Sequence, residues 1–210
     1  MAGPDRQFWQ AHFDRGHLPW DRGAPSPQLM AWLNDATLDA TTVDGRIGIP
    51  GCGSGHEVLE LARRGFAVTA IDYADGACSA TRARLVGADG TVAGDVDIVC
   101  ADVLQWQPEH ALAAVYEQTC LCALHPEQWA PYAWALHAWL RPGGRLFMLA
   151  MQVERTGAAG GFVEGPPFHV GINSLRALFP SARWDWPAPP YGQWPHPVGG
   201  FELALVLTRR

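Results

Sequence analysis

The sequence has no basic cluster: 15 Lys and Arg stand against 21 Asp and Glu, for a formal net charge of −6. The electrostatic footprint of a nucleic-acid binder is therefore missing, and neither DNA nor RNA is expected as a partner. No run approaches the roughly 18 apolar residues that a membrane span requires. The N-terminus, Met-Ala-Gly-Pro-Asp-Arg, has neither the charged nor the apolar region of a signal peptide. A cytosolic protein that does not engage membranes is expected. Cysteines number five, an odd count with no Cys-x-x-Cys pair and no His partner at zinc spacing. Reduced thiols follow from that pattern, rather than disulfides or a metal. Cys120 and Cys122 alternate in an apolar segment and read as packing residues rather than a redox pair. Internal repeats and low-complexity tails are also absent.

What is present suits one α/β domain spanning residues 1–210: at this length, 48% hydrophobic residues fill a full core. Ten tryptophans demand apolar pockets, which suggests that some of them line a binding site. The chain is organised around residues 43–57, where a buried strand runs into a tight glycine turn and then a helix over about Ser54 to Arg64. Gly51, Gly53 and Gly55 alternate, so the backbone there can take positive φ and let a ligand come close. The alternative is a turn whose glycines serve geometry only. A second strand, 66–71, ends at Asp72. A carboxylate at that point of a doubly wound sheet is where a ribose diol would be gripped, and it is also where a helix beginning near Ala74 would be capped.

Residues 8–27 begin as a short helix with Trp9 and Phe13 on one face and end in a proline-rich loop. The segment is placed either to fold over the ligand as a lid, residues 1–27, or to pack as an ordinary N-terminal helix. Helices are expected over Pro27 to about Thr37, Asp75 to Val86, Glu127 to Leu140 and Asn173 to Phe179. Further strands are expected at Val96 to Cys100, Leu112 to Glu117, Arg145 to Met151, around Arg183 to Trp186, and at Phe201 to Thr208. Arg141-Pro-Gly-Gly144 should stop the helix that ends at Leu140, while 152–171 and 187–197 read as loops. Asp102 and Val103, at the end of strand three, are positioned to read an adenine edge, or else form a surface turn. Glu117, Gln118 and Thr119 reach the same carboxyl edge, where ligands of open α/β sheets bind.

Five motifs together resemble the thiopurine S-methyltransferase superfamily, which also contains thiol and halide methyltransferases. They are Trp9 to Gly23 (Trp-x3-Phe-x2-Gly-x2-Pro-Trp-Asp-x-Gly), Pro50 to Glu57, Tyr116 to Leu124, Pro142-Gly-Gly144 and Gly165-Pro-Pro-Phe168. The resemblance implies a Rossmann-like class I methyltransferase fold, a seven-stranded, mostly parallel sheet with helices on both faces. It also implies S-adenosyl-L-methionine (SAM) as methyl donor, with S-adenosyl-L-homocysteine as product. On that basis the cofactor set is Trp9, Phe13, Gly51, Cys52, Gly53, Gly55, Asp72, Tyr73, Asp102, Val103 and Glu117. Trp9 and Phe13 cover the cofactor. Trp20, Gln118, Phe168 and His169 face the acceptor, and Trp20, Glu117 and Gln118 form the catalytic set. Gln118 stands where thiopurine enzymes commonly carry an Arg, which favours the thiol and halide branch. The expected acceptor is a small soft nucleophile such as a thiol, hydrosulfide, thiocyanate or a halide. An aromatic thiopurine, or the nitrogen of a small metabolite, is the alternative. Tyr116, His17 and His169 are candidates for orienting or deprotonating it.

Two other readings compete: a nicotinamide-dependent reductase, since Asp72 lies 21 positions after Gly51, and a SAM-binding regulator without turnover. No metal is expected, and the chain should act as a monomer or weak homodimer.

Overall fold

The computed structural model describes residues 3–90, 92–154, 156–157 and 163–210. In chain order its elements are α1 (Arg6–Asp14), α2 (Pro27–Asn34), β1 (Ile47–Pro50), α3 (His56–Arg63), β2 (Val68–Asp72), α4 (Asp75–Val86), β3 (Val96–Cys100) and β4 (Leu112–Gln118). They continue with α5 (Cys120–Ala123), α6 (Trp129–Trp139), β5 (Leu140–Gln152), α7 (Ile172–Leu178), β6 (Trp184–Asp185), β7 (Gly192–Pro195) and β8 (Phe201–Arg209).

These strands form one sheet in the order β3-β2-β1-β4-β5-β8-β6, with β7 also paired to β8. The pairs from β3 across to β5 are parallel, and β8 runs antiparallel to β5. The sheet is therefore eight-stranded, one more than the sequence suggested, because β7 lies inside the stretch read as a Pro/Trp-rich loop. Its residues 192–195 pair with Phe201 to Ala204 of β8.

Alternation along the strands sends successive side chains to opposite faces, and each face carries its own core. Val115, Leu146, Met148 and Leu205 pack with Trp129, Tyr132 and Leu136 of α6 and Leu175 of α7. Tyr116, Phe147 and Leu149 pack with Leu29 and Trp32 of α2 and Val58 and Leu61 of α3. Helices thus cover both faces.

Several boundaries moved for identifiable reasons. The Pro142-Gly143-Gly144 segment does not lie between helix and strand. It is an irregularity inside β5, whose register against β4 shifts between Leu112 and Ala114. The expected 127–140 helix opens with a 3₁₀ turn at Pro126–Gln128, and Trp134 on α6 is exposed, with the Arg183 guanidinium 3.6 Å above its ring. Cys78 on α4 and Cys100 ending β3 are joined as a disulfide, which corrects the expectation of reduced thiols throughout. Counting cysteines fixes only that one is left over; packing α4 on β3 brings these two together. Part of the 152–171 connection, residues 155 and 158–162, lies outside the described residues. No helix among the described residues is long and apolar enough to cross a membrane.

Candidate active site

The parallel strands end on one edge, and the turns that leave them build a cavity of about 590 Å³. β1 delivers the glycine turn. Gly51 and Gly53 both take left-handed backbone conformations, φ +63° and +54°, and both line the cavity. A β-carbon on Gly51 would sit 3.1 Å from that of Cys120, so this turn nests against the start of α5. At Gly53 such a carbon meets no protein atom closer than the Gly51 carbonyl, 3.9 Å away. Gly55 plays a different part: at φ +74° it caps α3, and a β-carbon there would lie 2.7 Å from Thr81 Oγ1. Thr119, which leads β4 into α5, holds a left-handed φ of 62° on the cavity wall.

β2 delivers Asp72. Its Oδ2 accepts the Gly53 amide at 3.1 Å and its Oδ1 accepts the Ala74 amide at 3.0 Å. The carboxylate therefore ties the glycine turn to the start of α4, and the Gly53 N–H is turned toward it rather than toward open space. Each oxygen keeps capacity for a further donor. Burial raises the Asp72 pKa, and the amides of Ala74, Gly53 and Tyr73 oppose that rise. β3 delivers Asp102 and Val103 to the same wall, with Asp102 Oδ1 accepting the Leu104 amide at 2.9 Å.

Helix α1 closes the cavity from outside. It contributes no buried residue to the core, yet Phe8, Trp9, His12 and Phe13 all line the cavity. It docks on the start of α4 through Arg6 to Asp75 at 2.6 Å and through the Gly76 amide, which donates to Gln10 Oε1 at 2.9 Å. Trp20 packs edge-on to Trp9, with ring centroids 5.3 Å apart. The Trp-Asp-x-Gly motif gains its meaning from what flanks that ring. Asp21 lies 3.0 Å from His56 Nε2 on α3, and Arg22 Nη2 donates to Glu202 Oε2 of β8 at 3.0 Å. Trp20 is held beside two anchored neighbours, and it also lines a second recess of about 70 Å³ with Cys52, Tyr116 and Gln118.

Behind that recess the polar groups satisfy one another. Tyr116 donates its hydroxyl to Gln118 Oε1 at 2.7 Å, and Gln118 Nε2 donates to Glu202 Oε1 at 3.0 Å. Glu117 points the other way: fully buried, it accepts the Leu121 amide at 2.6 Å. Burial raises its pKa to about 7, against hydrogen bonds from the Leu121 and Cys120 amides.

Of the residues singled out in the sequence, Trp9, Phe13, Trp20, Gly51, Gly53, Asp72, Tyr73, Asp102 and Val103 line the main cavity, and Cys52 and Gln118 line the recess. Gly55, Glu117, Phe168 and His169 line neither. Gly55 is consumed by the helix cap and Glu117 by the start of α5. Phe168 is buried and donates its amide to the Cys122 carbonyl, while His169 Nδ1 accepts the Val153 amide. The neighbouring Pro166 and Pro167 line the cavity in their place. Sequence reading missed His12, Cys120, Cys122, His196 and Val198 on the wall, and Arg22 and Glu202 behind it. The Trp-Asp-x-Gly motif pointed toward Arg22; nothing local marked the others.

A family model described as thiopurine S-methyltransferase matches residues 4–186. The chain is 25% identical over 170 residues to thiocyanate methyltransferase 1 of Arabidopsis thaliana, covering 81% of this chain and 70% of that protein. It is 25% identical over 190 residues to a thiopurine S-methyltransferase of Pseudomonas putida, covering 85% and 84%. Among solved structures, the 1,6-didemethyltoxoflavin-N1-methyltransferase of Burkholderia thailandensis, with S-adenosylhomocysteine bound, superposes with a TM-score of 0.71 at 19% identity. That superposition covers 98% of this chain and 86% of that one. The fold is that of the SAM-dependent methyltransferases, and none of these matches favours a nicotinamide reductase.

Proposed function

We infer the activity from one premise: the chain belongs to the thiopurine S-methyltransferase family. It is a SAM-dependent methyltransferase, and its acceptor is a small soft nucleophile: a thiol, hydrosulfide, thiocyanate or a halide. The cavity fits the cofactor. Its volume lies in the range of small-molecule sites, about 300 to 1,000 Å³. Asp5, Asp72 and Asp102 face it against the single guanidinium of Arg6, a balance that suits a cationic ligand. The glycine turn leaves its wall free of side chains. When bound, SAM supplies a methyl group on a positively charged sulfur.

The chain's own residues do the rest. Asp72 holds the ribose diol with the acceptor capacity its two backbone bonds leave free. Asp102 and the Val103 amide read the adenine edge. Trp9 and Phe13 cover the cofactor and exclude water, while Trp20 and Gln118 border the acceptor. Precise placement of the two reactants is worth more here than proton transfer, because a thiol of pKa near 8.5 is already a few per cent ionised at neutral pH.

The observation that carries this reading is the closed hydrogen-bond chain from Tyr116 through Gln118 and Glu202 to Arg22. It leaves the polar groups beside Trp20 committed to one another, so the acceptor has to arrive already nucleophilic. Thiocyanate and thiol methyltransferases among the relatives support the same acceptor class. We place the protein in the cytosol, acting on small molecules without nucleic acid, as a monomer or weak homodimer. Incubation with SAM and a panel of thiols, hydrosulfide, thiocyanate, iodide and thiopurines, with products identified by mass, tests the reading. Methylation of thiopurines alone would overturn it.

A further inference from the structure

Two N–H donors are buried without an acceptor beside the same carboxylate: His196 Nε2 and Arg22 Nε. His196 sits in the turn between β7 and β8 and lines the main cavity, with its side chain only 2% exposed. Its Nδ1 accepts the Val198 amide at 3.3 Å, which settles the tautomer: in the neutral ring the proton is on Nε2. Nε2 lies 4.0 Å from Glu202 Oε1, beyond hydrogen-bond reach, and that oxygen already accepts from Gln118. Arg22, meanwhile, commits Nη2 to Glu202 Oε2 and the Pro195 carbonyl and neutralises the carboxylate. A buried donor left unmade costs about 1 to 3 kcal/mol, so such a group on a cavity wall marks where a ligand completes it.

Resting on the acceptor class proposed above, we propose that His196 Nε2–H is the donor that binds the anionic acceptor, with the Arg22 guanidinium behind it supplying the positive potential. The imidazole is a donor here and not a base, since the nitrogen facing outward from the Val198 contact carries the proton. The charged groups around it are Arg22 and Glu202. Burial, with Arg22 adding to it, depresses the His196 pKa to about 4, so the ring stays neutral wherever thiolate, thiocyanate or iodide is the attacking form. A neutral donor holds a soft anion without sequestering it as a full ion pair would, and leaves its lone pair available to the methyl group.

The test is thiocyanate binding to the protein saturated with S-adenosylhomocysteine, followed by calorimetry, in three variants. His196→Phe should weaken thiocyanate about tenfold or more with cofactor affinity unchanged. His196→Gln, which keeps an N–H near the Nε2 position, should stay within about threefold of the parent protein. His196→Asn keeps only the acceptor for Val198, and should bind thiocyanate as poorly as His196→Phe. Restored binding in His196→Asn would overturn the proposal, because it would show that the ring merely braces the turn. So would undiminished binding in His196→Phe. Turnover separates this from the activity itself: methylation of thiocyanate with equal KM in the parent and His196→Phe retains the function and refutes the role of His196. Binding that depends on His196 in a protein that methylates no acceptor retains the role and refutes the function.

Discussion

Phe13 of α1 packs against Gly76 in the first turn of α4 so closely that a β-carbon on Gly76 would overlap the phenylalanine's own. That contact, rather than burial in the core, seats the helix that covers the cavity. Gly76→Ala should therefore lift α1 without harming the fold, since alanine at a helical position is favoured over glycine by about 1 kcal/mol. We expect SAM affinity to fall several-fold while the thermal midpoint stays level or rises. Unchanged affinity would mean that α1 does not seal the cofactor. Deleting residues 1–24 should extend the trend, costing activity and SAM affinity more than stability.

Asp72 serves two structures at once, and two substitutions separate them. Asp72→Ala loses both the Gly53 and Ala74 contacts, so it should cost about 1 to 2 kcal/mol of stability and about 1 to 3 kcal/mol of SAM affinity. Asp72→Asn retains one acceptor oxygen and should recover part of the stability with little of the affinity. Denaturant unfolding and SAM titration on both variants read the difference. Equal recovery of both quantities would return Asp72 to a purely capping role.

Gly53 and Gly55 share a left-handed backbone but not an environment. Gly53→Val should abolish SAM binding, at a backbone cost of about 1 kcal/mol, because its side chain enters space that no protein atom fills. Gly55→Ala adds a clash with Thr81 to the same backbone cost, and should lower the unfolding midpoint more than Gly53→Ala does. Circular dichroism and SAM calorimetry on these variants decide it. Normal SAM binding by Gly53→Val would make the turn structural only.

The buried carboxyl of Glu117 has its own signature. Its folded pKa of about 7 stands above the unfolded value of 4.5, so the folded state binds the proton more tightly. The resulting stabilisation is complete below about pH 4.5, and is lost as pH rises to about 7. Glu117→Gln removes this dependence. The stability of the variant relative to the parent should rise between pH 5 and pH 8, by up to about 3 kcal/mol at roughly 1.4 kcal/mol per pKa unit. Urea unfolding at both pH values measures it, and a constant difference would show that Glu117 is ionised throughout.

Kinetics should report the acceptor's ionisation and not Glu117's. For a series of thiols, log kcat/KM should rise with pH to the thiol pKa and then level off, with the breakpoint moving from thiol to thiol. Iodide and thiocyanate should give flat profiles through neutrality. A breakpoint fixed near pH 7 for all acceptors, and absent in Glu117→Gln, would assign the base to this carboxyl instead.

The fold was legible where the signal was local. β3 and α4 ran to the residues expected, because each is a periodic segment bounded by glycine, aspartate or a change of period. The glycine turn, Asp72 and Asp102 came from the same kind of reading. β7 did not: Gly192-Gln193-Trp194-Pro195 has no apolar alternation and ends in proline, and it is a strand only because β8 offers it an edge. His196 and Glu202 were invisible for a related reason. Their positions depend on β8 returning antiparallel beside β5, which carries a C-terminal turn back to the lid. Phe168 failed in the opposite sense: its motif was recognised, but the aromatic side chain turned into the core and the two prolines before it took the wall.

The thiols of the cavity have a consequence of their own. Cys120 and Cys122 line it, and Cys52 lines the recess beneath, so an enzyme that alkylates sulfur houses its methyl donor among sulfur atoms of its own. Burial, with Asp72 beside Cys52 and Glu117 beside Cys120, pushes both thiols far above the usual cysteine range. They stay protonated and so remain poor nucleophiles. The same dry, anionic setting that suits a sulfonium thus spares the protein from methylating itself, and chemical discrimination between guest and host sulfur comes down to which of them has already lost its proton.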